Sequence, residues 1–290
     1  MNLHPLHPAT SVTDGLADSG WRIIELLAFT RSSTLILASQ DDNEPVVIKA
    51  GFGSNHVLAE MDEQDRPAAY GFYWYQQMTP AERVLSREDF RHERELARDC
   101  RGATRVVYLI DEGECGGFDW YTMPHYPDGN LRAFTTQNAS PAGLGASMTI
   151  LADVAAGLDE LHRRGIVHRD LYQENVLLKN GRGVITDLGA ACRIGEARGP
   201  RRRGPEVHWP PEYAHSYAEA TPGADVYSLA VLAYRILFAD LPRLDGPRHL
   251  DGLPTTVTDH ITAALANNPD ARPTMTELHT SFLEGATATP

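Results

Sequence analysis

The spacing of hydrophobic positions changes near Gly129. Before it, apolar and β-branched residues come in short runs: WRIIELLA, STLILAS and PVVIK, between Trp21 and Lys49. The polar stretch DDNE separates the last two, so the pattern predicts strands joined by turns. Residues 1–20 read as a loose leader, and residues 50–79 as a less regular stretch containing AAYGFYWYQQ. Thr79-Pro80-Ala81-Glu82 is a helix start, with a Thr cap, a proline in the first turn and a glutamate three residues after the cap. Helical sequence then runs to about Arg98, and RVVYLID and DWYTMPH predict two more strands.

Beyond Gly129 the helical period takes over. Met148, Leu151, Ala155, Leu158 and Leu161 recur at three- and four-residue steps along SMTILADVAAGLDELHRR. ADVYSLAVLAYRILFA is apolar almost all round and predicts a buried helix. Two further helices are predicted in TTVTDHITAALAN and PTMTELHTSFLEG, and short strands in IVHRD and GVITD flank a polar loop. A strand-rich first part thus precedes a helix-rich second part.

Composition narrows the function classes. Hydrophobic residues are 42% and charged residues 22%, as in globular proteins. No run of about 18 apolar residues exists, so no membrane-spanning helix is predicted and no membrane partner is expected. MNLHPLHPATSVTDG lacks the basic start and apolar stretch of a secretory signal. Cys100, Cys115 and Cys192 are widely spaced, as ordinary thiols in a reducing cytoplasm would be. A formal net charge of −13 argues against general nucleic-acid binding, which needs a basic face. Lysine occurs only at Lys49 and Lys179, which makes each position informative.

Candidate chemistry concentrates in His168-Arg169-Asp170-Leu171-Tyr172-Gln173-Glu174-Asn175, followed at Asp187 by Asp-Leu-Gly after the strand GVIT. Phosphoryl transfer needs a cation on the phosphates, oxygen ligands for Mg²⁺ and an acceptor for the substrate's hydroxyl proton. The first segment resembles the HRDLxxxN catalytic loop of protein kinases, and the second their DFG turn with Leu in place of Phe. Val46-Val47-Ile48-Lys49 resembles the VAIK motif, and Glu93 in FRHERELA the glutamate that pairs with its lysine; Glu95 is the alternative partner.

Further along, Pro211-Glu212 resembles the end of the APE motif. Asp225 resembles the buried aspartate beneath the catalytic loop, and Arg272 the arginine that pairs with the APE glutamate. On these motifs the chain resembles the eukaryotic-like protein kinase superfamily from about Trp21 to Leu283.

The resemblance implies an α+β, bilobal fold with a β-rich N-lobe at residues 21–123 and an α-helical C-lobe at 127–284. ATP would bind between the lobes, after a leader at 1–20 and before a tail at 285–290. It implies ATP and Mg²⁺ as cofactors and transfer of the γ-phosphoryl group to a protein, peptide or small-molecule hydroxyl. Asp170 would accept the proton, Lys49 would neutralise the phosphates, and Asn175 and Asp187 would hold the metal. Ala28, Thr30, Ser33, Leu35, Val47, Glu93, Met123, Pro124 and Tyr126 would complete the nucleotide site. His168, Arg169, Glu212, Asp225 and Arg272 would support it. A nucleotide-binding module without turnover is the alternative.

Some positions depart from the family pattern. The three glycines of the phosphate loop fall at Ala28, Thr30 and Ser33, with Arg31 at the tip. Tyr172 and Pro205 stand where Ser/Thr kinases carry a lysine and a threonine. Arg198 with Arg201–Arg203, or the aromatic group Tyr70–Tyr75, offers a partner surface, although a solvated loop and simple packing explain them as well. His4 and His7 could touch a metal, although two histidines in a leader usually do nothing. From Leu188 to Glu212 there is no Ser, Thr or Tyr, so phosphorylation of this loop is not expected to switch the domain. Glu196 or Glu206 would offer Arg169 a fixed carboxylate instead.

Overall fold

In a computed structural model of the protein, the alternating runs at the start of the chain build one antiparallel sheet. The structure describes residues 8–29, 33–41, 43–51, 79–115, 118–137, 143–196, 208–215, 217–218, 220–242, 250 and 252–288. The sheet comprises β1 (Arg22–Phe29), β2 (Ser33–Ser39), β3 (Val46–Gly51), β4 (Glu112–Cys115) and β5 (Phe118–Pro124), in the order β1-β2-β3-β5-β4. Two-residue alternation sorts its side chains onto two faces. Ile36, Ala38, Ile48, Ala50, Phe118 and Trp120 enter one buried cluster. The cross-strand rows Leu35–Lys49–Tyr121 and Leu37–Val47–Met123 occupy the other face.

The first face is covered by helix α1 (Pro8–Asp18), whose Val12 and Leu16 join that cluster together with Trp21. Trp21 meets Trp120 edge-on, with ring centroids 5.9 Å apart. Residues 8–18 are therefore not the loose leader that the sequence suggests. Their apolar face is only Ala9, Val12 and Leu16, too short to stand out as a period, yet the sheet's surplus apolar surface recruits it. Leu16→Ala is expected to cost about 2–5 kcal/mol, the usual range for a buried leucine. The urea midpoint measures it, and a wild-type midpoint would detach α1 from the cooperative unit.

The second face carries helix α2 (Pro80–Asp99). Thr79 caps it: its hydroxyl accepts from the Glu82 N–H, and the Glu82 carboxylate accepts from the Thr79 N–H at 2.6 Å. The segment RVVYLID, expected as a strand, forms no continuous ladder. Its amides go to three separate partners: Val107 donates to the Ile185 carbonyl, Leu109 to Ala97 and Ile110 to Thr122. The segment has strand composition, but no single neighbour runs beside it.

The chain divides into two compact units, Met1–Arg101 with Tyr108–His125, and Gly102–Val107 with Tyr126–Pro290. The second unit contains α3 (Leu131–Gln137), α4 (Leu144–Arg163), β6 (Ile166–Val167), β7 (Val176–Lys179), β8 (Arg182–Ile185) and β9 (Cys192–Arg193). It ends with α5 (Pro222–Phe238), α6 (Thr255–Ala264) and α7 (Met275–Ala288). Strands β7 and β8 form a hairpin closed by Asn180 and Gly181, both at positive φ (54° and 71°), as a type I′ turn requires.

Asp153 on α4 is the junction of this region. It takes two hydrogen bonds from Arg182, one from the Gly183 N–H and an ion pair from Arg105. Helix α7 does not stop before a tail at 285. Gly285 is buried, and a Cβ there would lie 2.4 Å from Met148 Sδ and 2.8 Å from Val257 Cγ2. The glycine at which the expected tail begins is instead the residue that permits close packing. Among the described residues, no helix is long and apolar enough to cross a membrane.

Candidate active site

In the first unit, β3 and α2 bring Lys49 and Glu93 together. Lys49 Nζ lies 2.5 Å from Glu93 Oε1, and both side chains are buried. The helical period places Phe90 one turn before Glu93, and the Phe90 ring packs against Tyr121 at 5.7 Å between centroids. Gly51 makes this approach possible, because a Cβ there would meet the Phe90 ring at 2.7 Å. Glu95, the alternative partner, lies on the exposed side of α2.

A row of arginines anchors the same helix. Arg87 and Arg91 each donate through Nε to Asp119 Oδ2 at 2.9 Å, and Arg94 Nη1 reaches Oδ1 at 3.4 Å. Arg98 makes a two-pronged pair with Glu112 at 2.8 and 2.5 Å. Burial opposes ionisation of Asp119, but the hydrogen bonds from Arg87 and Arg91 outweigh it and hold the carboxyl below its ordinary pKa. The helix α2 is legible from its capping box, whereas Asp119 is not; the signal for it is the basic stripe at Arg87, Arg91, Arg94 and Arg98.

The other nucleotide-site candidates of this unit lie along the sheet. Ala28 pairs with Leu35 across β1 and β2, and Ser33 with Gly51. Val47 stands opposite Met123, and Pro124 closes β5 opposite Val46. Tyr126 opens the long segment of the second unit.

In the second unit, β6 leads into the loop from His168 to Asn175. Asp225, fully buried on α5, accepts from the backbone N–H of both His168 and Arg169 at 2.8 Å, and its Oδ2 meets His162 Nε2 at 2.8 Å. Burial would raise its pKa, but the His162 hydrogen bond and the nearby histidines hold it below the ordinary 3.8. Arg169 is locked in turn: its Nε donates to the Ala190 carbonyl at 2.7 Å, and its guanidinium lies 4.6 Å over the Tyr217 ring. This fixes a backbone φ of 66°, uncommon for arginine, in the loop that presents Asp170.

His168 Nδ1 accepts from the Asp170 N–H at 3.3 Å, and its Nε2 faces the Thr186 carbonyl at 3.0 Å; this pairing selects the Nε2–H tautomer. Asn175 Nδ2 donates to the Asp170 carbonyl at 2.9 Å and lies 3.5 Å from Asp170 Oδ2. Thr186 donates its N–H to the Asn175 carbonyl at 3.0 Å, which sets Asp187 directly after the strand pair. Asp187 has a left-handed backbone (φ 62°) and caps the turn Leu188–Ala190 through the Gly189 N–H. Asp170, Asn175 and Asp187 are thus held by one hydrogen-bonded framework.

Tyr172 packs its ring 6.3 Å from His208. Burial and the charges of Asp170 and Asp187 push its phenol up to about 12, while burial and Arg235 push His208 down to about 4, so both are neutral near pH 7. Glu212 accepts two hydrogen bonds from Arg272, at 2.6 and 2.7 Å, and Arg272 also donates to the Gly223 and Ala266 carbonyls. Thr30, Arg31, Arg198, Arg201–Arg203, Pro205, Glu206, the Tyr70–Tyr75 group, His4 and His7 lie outside the described residues.

The family model of the protein kinase domain matches residues 74–283. The chain belongs to the protein kinase family. The fold of that family, a sheet-rich N-terminal part and a helical C-terminal part, is the one observed. Lys49 and the strands β1–β3 precede the matched span.

The chain is similar to the serine/threonine-protein kinase PknL of Mycobacterium tuberculosis (strain ATCC 25618 / H37Rv), 31% identical over 58% of this chain and 47% of the relative. It is similar to the serine/threonine-protein kinase pkn2 of Myxococcus xanthus, 32% identical over 59% of this chain and 21% of the relative. It is also similar to the serine/threonine-protein kinase MST20 of Pyricularia oryzae, 30% identical over 48% of this chain and 15% of the relative. The matched region spans less than half the length of each of these kinases.

Proposed function

We propose that the chain transfers the γ-phosphoryl group of ATP, in the presence of Mg²⁺, to a hydroxyl on a protein or peptide. The observation that carries this reading is the Asp170–Asn175 loop held on buried Asp225, in a chain of the protein kinase family. Asp170 accepts the proton of the attacking hydroxyl. Lys49, oriented by Glu93, neutralises the nucleotide phosphates. Asn175 and Asp187 are hard oxygen donors that fit Mg²⁺, which takes one or two protein oxygens and completes its shell with phosphate and water. The metal, when bound, supplies charge neutralisation on the β- and γ-phosphates.

The relatives' names support a protein hydroxyl as acceptor. Tyr172 presents a neutral ring beside Asp170 where Ser/Thr kinases carry a cation, so small-molecule and biosynthetic-peptide hydroxyls stay within the acceptor class. Melting curves with ATP, with and without Mg²⁺, test the reading. Wild type is expected to be stabilised. Lys49→Ala should lose much of the shift, and Asp187→Ala its Mg²⁺-dependent part. A shift that ignores both substitutions would place nucleotide elsewhere. Stabilisation without turnover would mark a nucleotide-binding module.

A further inference from the structure

Glu93 Oε1 accepts from two buried donors: Lys49 Nζ at 2.5 Å and the Tyr121 hydroxyl at 2.8 Å. Tyr121 is the direct cross-strand partner of Lys49, so the two side chains rise side by side from one face of the sheet. The Phe90 ring, one helical turn from Glu93, rests against the Tyr121 ring and fixes its direction. Phe90 is itself pressed onto β3 at Gly51, where no Cβ fits. The phenol is therefore held by packing, and its hydroxyl is delivered to the carboxylate that orients the lysine.

We infer that Tyr121 is a positioning residue for nucleotide use: through its hydroxyl it holds the Glu93 carboxylate, and through that carboxylate the Lys49 ammonium, in one place. A glutamate on a helix has three side-chain torsions and a lysine four, so holding the pair in one geometry costs rotamer freedom. A second donor on the same oxygen, rooted in the sheet rather than in α2, narrows the positions the carboxylate can take. The inference rests on the proposed role of Lys49 in binding phosphates. It adds a residue that neither the motif spacing nor the family match assigns.

The test is Tyr121→Phe in the full chain, which deletes the hydroxyl and keeps the ring against Phe90. Only two lysines exist, Lys49 and Lys179, so ¹³C-labelled lysine gives two resolvable ε-methylene signals. In nucleotide-free protein, Tyr121→Phe is expected to move and broaden the Lys49 signal and leave that of Lys179 in place. The kcat/KM for ATP is expected to fall about tenfold, the scale of one hydrogen bond to a charged group. In a Glu93→Ala background, where no side-chain oxygen remains to receive either donor, the same substitution should have little further effect, because its route to Lys49 is already cut.

A Lys49 signal and an ATP dependence unchanged from wild type would overturn the inference. So would an equal loss in the Glu93→Ala background, which would mean that Tyr121 acts through the fold alone. If wild type neither binds nor turns over ATP, the functional reading fails, and the lysine signals still decide whether Tyr121 positions Lys49.

Discussion

Asp170→Asn is expected to remove phosphoryl transfer while leaving nucleotide-dependent stabilisation in place. The substitution is nearly isosteric and the side chain is only half-buried, so little stability is at risk. The Asp170 carbonyl that receives Asn175 Nδ2 is backbone and survives the change, so the loop keeps its shape. What disappears is a basic oxygen at the place where a hydroxyl proton must go. A positioned general base contributes about 10²- to 10⁴-fold, which sets the expected fall in kcat. Initial rates from γ-labelled ATP, with melting curves alongside, measure both halves of the expectation. A variant at full rate would move the proton acceptor to another residue.

Asp225→Ala is expected to have the largest effect on stability. The carboxylate is fully buried and satisfies two backbone N–H groups and the His162 ring. Truncation strands these donors in the interior, at a cost of about 3–5 kcal/mol by analogy with broken buried charge pairs. It also releases the backbone that holds Arg169 at positive φ, so activity should fall even in the fraction that folds.

The acid side carries a second signature. Because the folded pKa of Asp225 is depressed below 3.8, its stabilisation is present above that value and is lost as pH falls through the folded value. Wild type should therefore lose stability in acid along a slope that the variant lacks. Denaturant midpoints from neutral pH down to about pH 3 would show it. A variant as stable as wild type would mean that other contacts hold the loop.

Some of the local pairing was legible in the sequence. The motif resemblance pairs Lys49 with Glu93, and the two side chains lie 2.5 Å apart; it groups His168–Asn175 in one loop, in which Asn175 bonds to the Asp170 carbonyl. What stayed hidden depends on partners distant in sequence. Asn180-Gly181 is a hairpin signal, but β7 beside it is only VLLK, so it read as part of a polar loop. RVVYLID has strand composition, and no property of that segment reveals that its hydrogen bonds go to three different partners. Helix α1 shows three apolar positions that gain meaning only against the Trp21–Trp120 surface. Asp119 looks like an odd charge inside a strand until the arginine stripe of α2 faces it. Tyr121 looks like a core aromatic until strand pairing sets it beside Lys49.

The measurement that bears most directly on the account is label transfer from γ-labelled ATP by the purified chain, with Mg²⁺ and a generic acceptor protein. Wild type is expected to yield labelled protein and to lose the label on chelation of the metal, and Asp187→Ala to yield none. Label that persists in Asp187→Ala or without metal, or a wild-type chain that binds ATP and transfers label to no protein, peptide or small-molecule hydroxyl, would contradict the account.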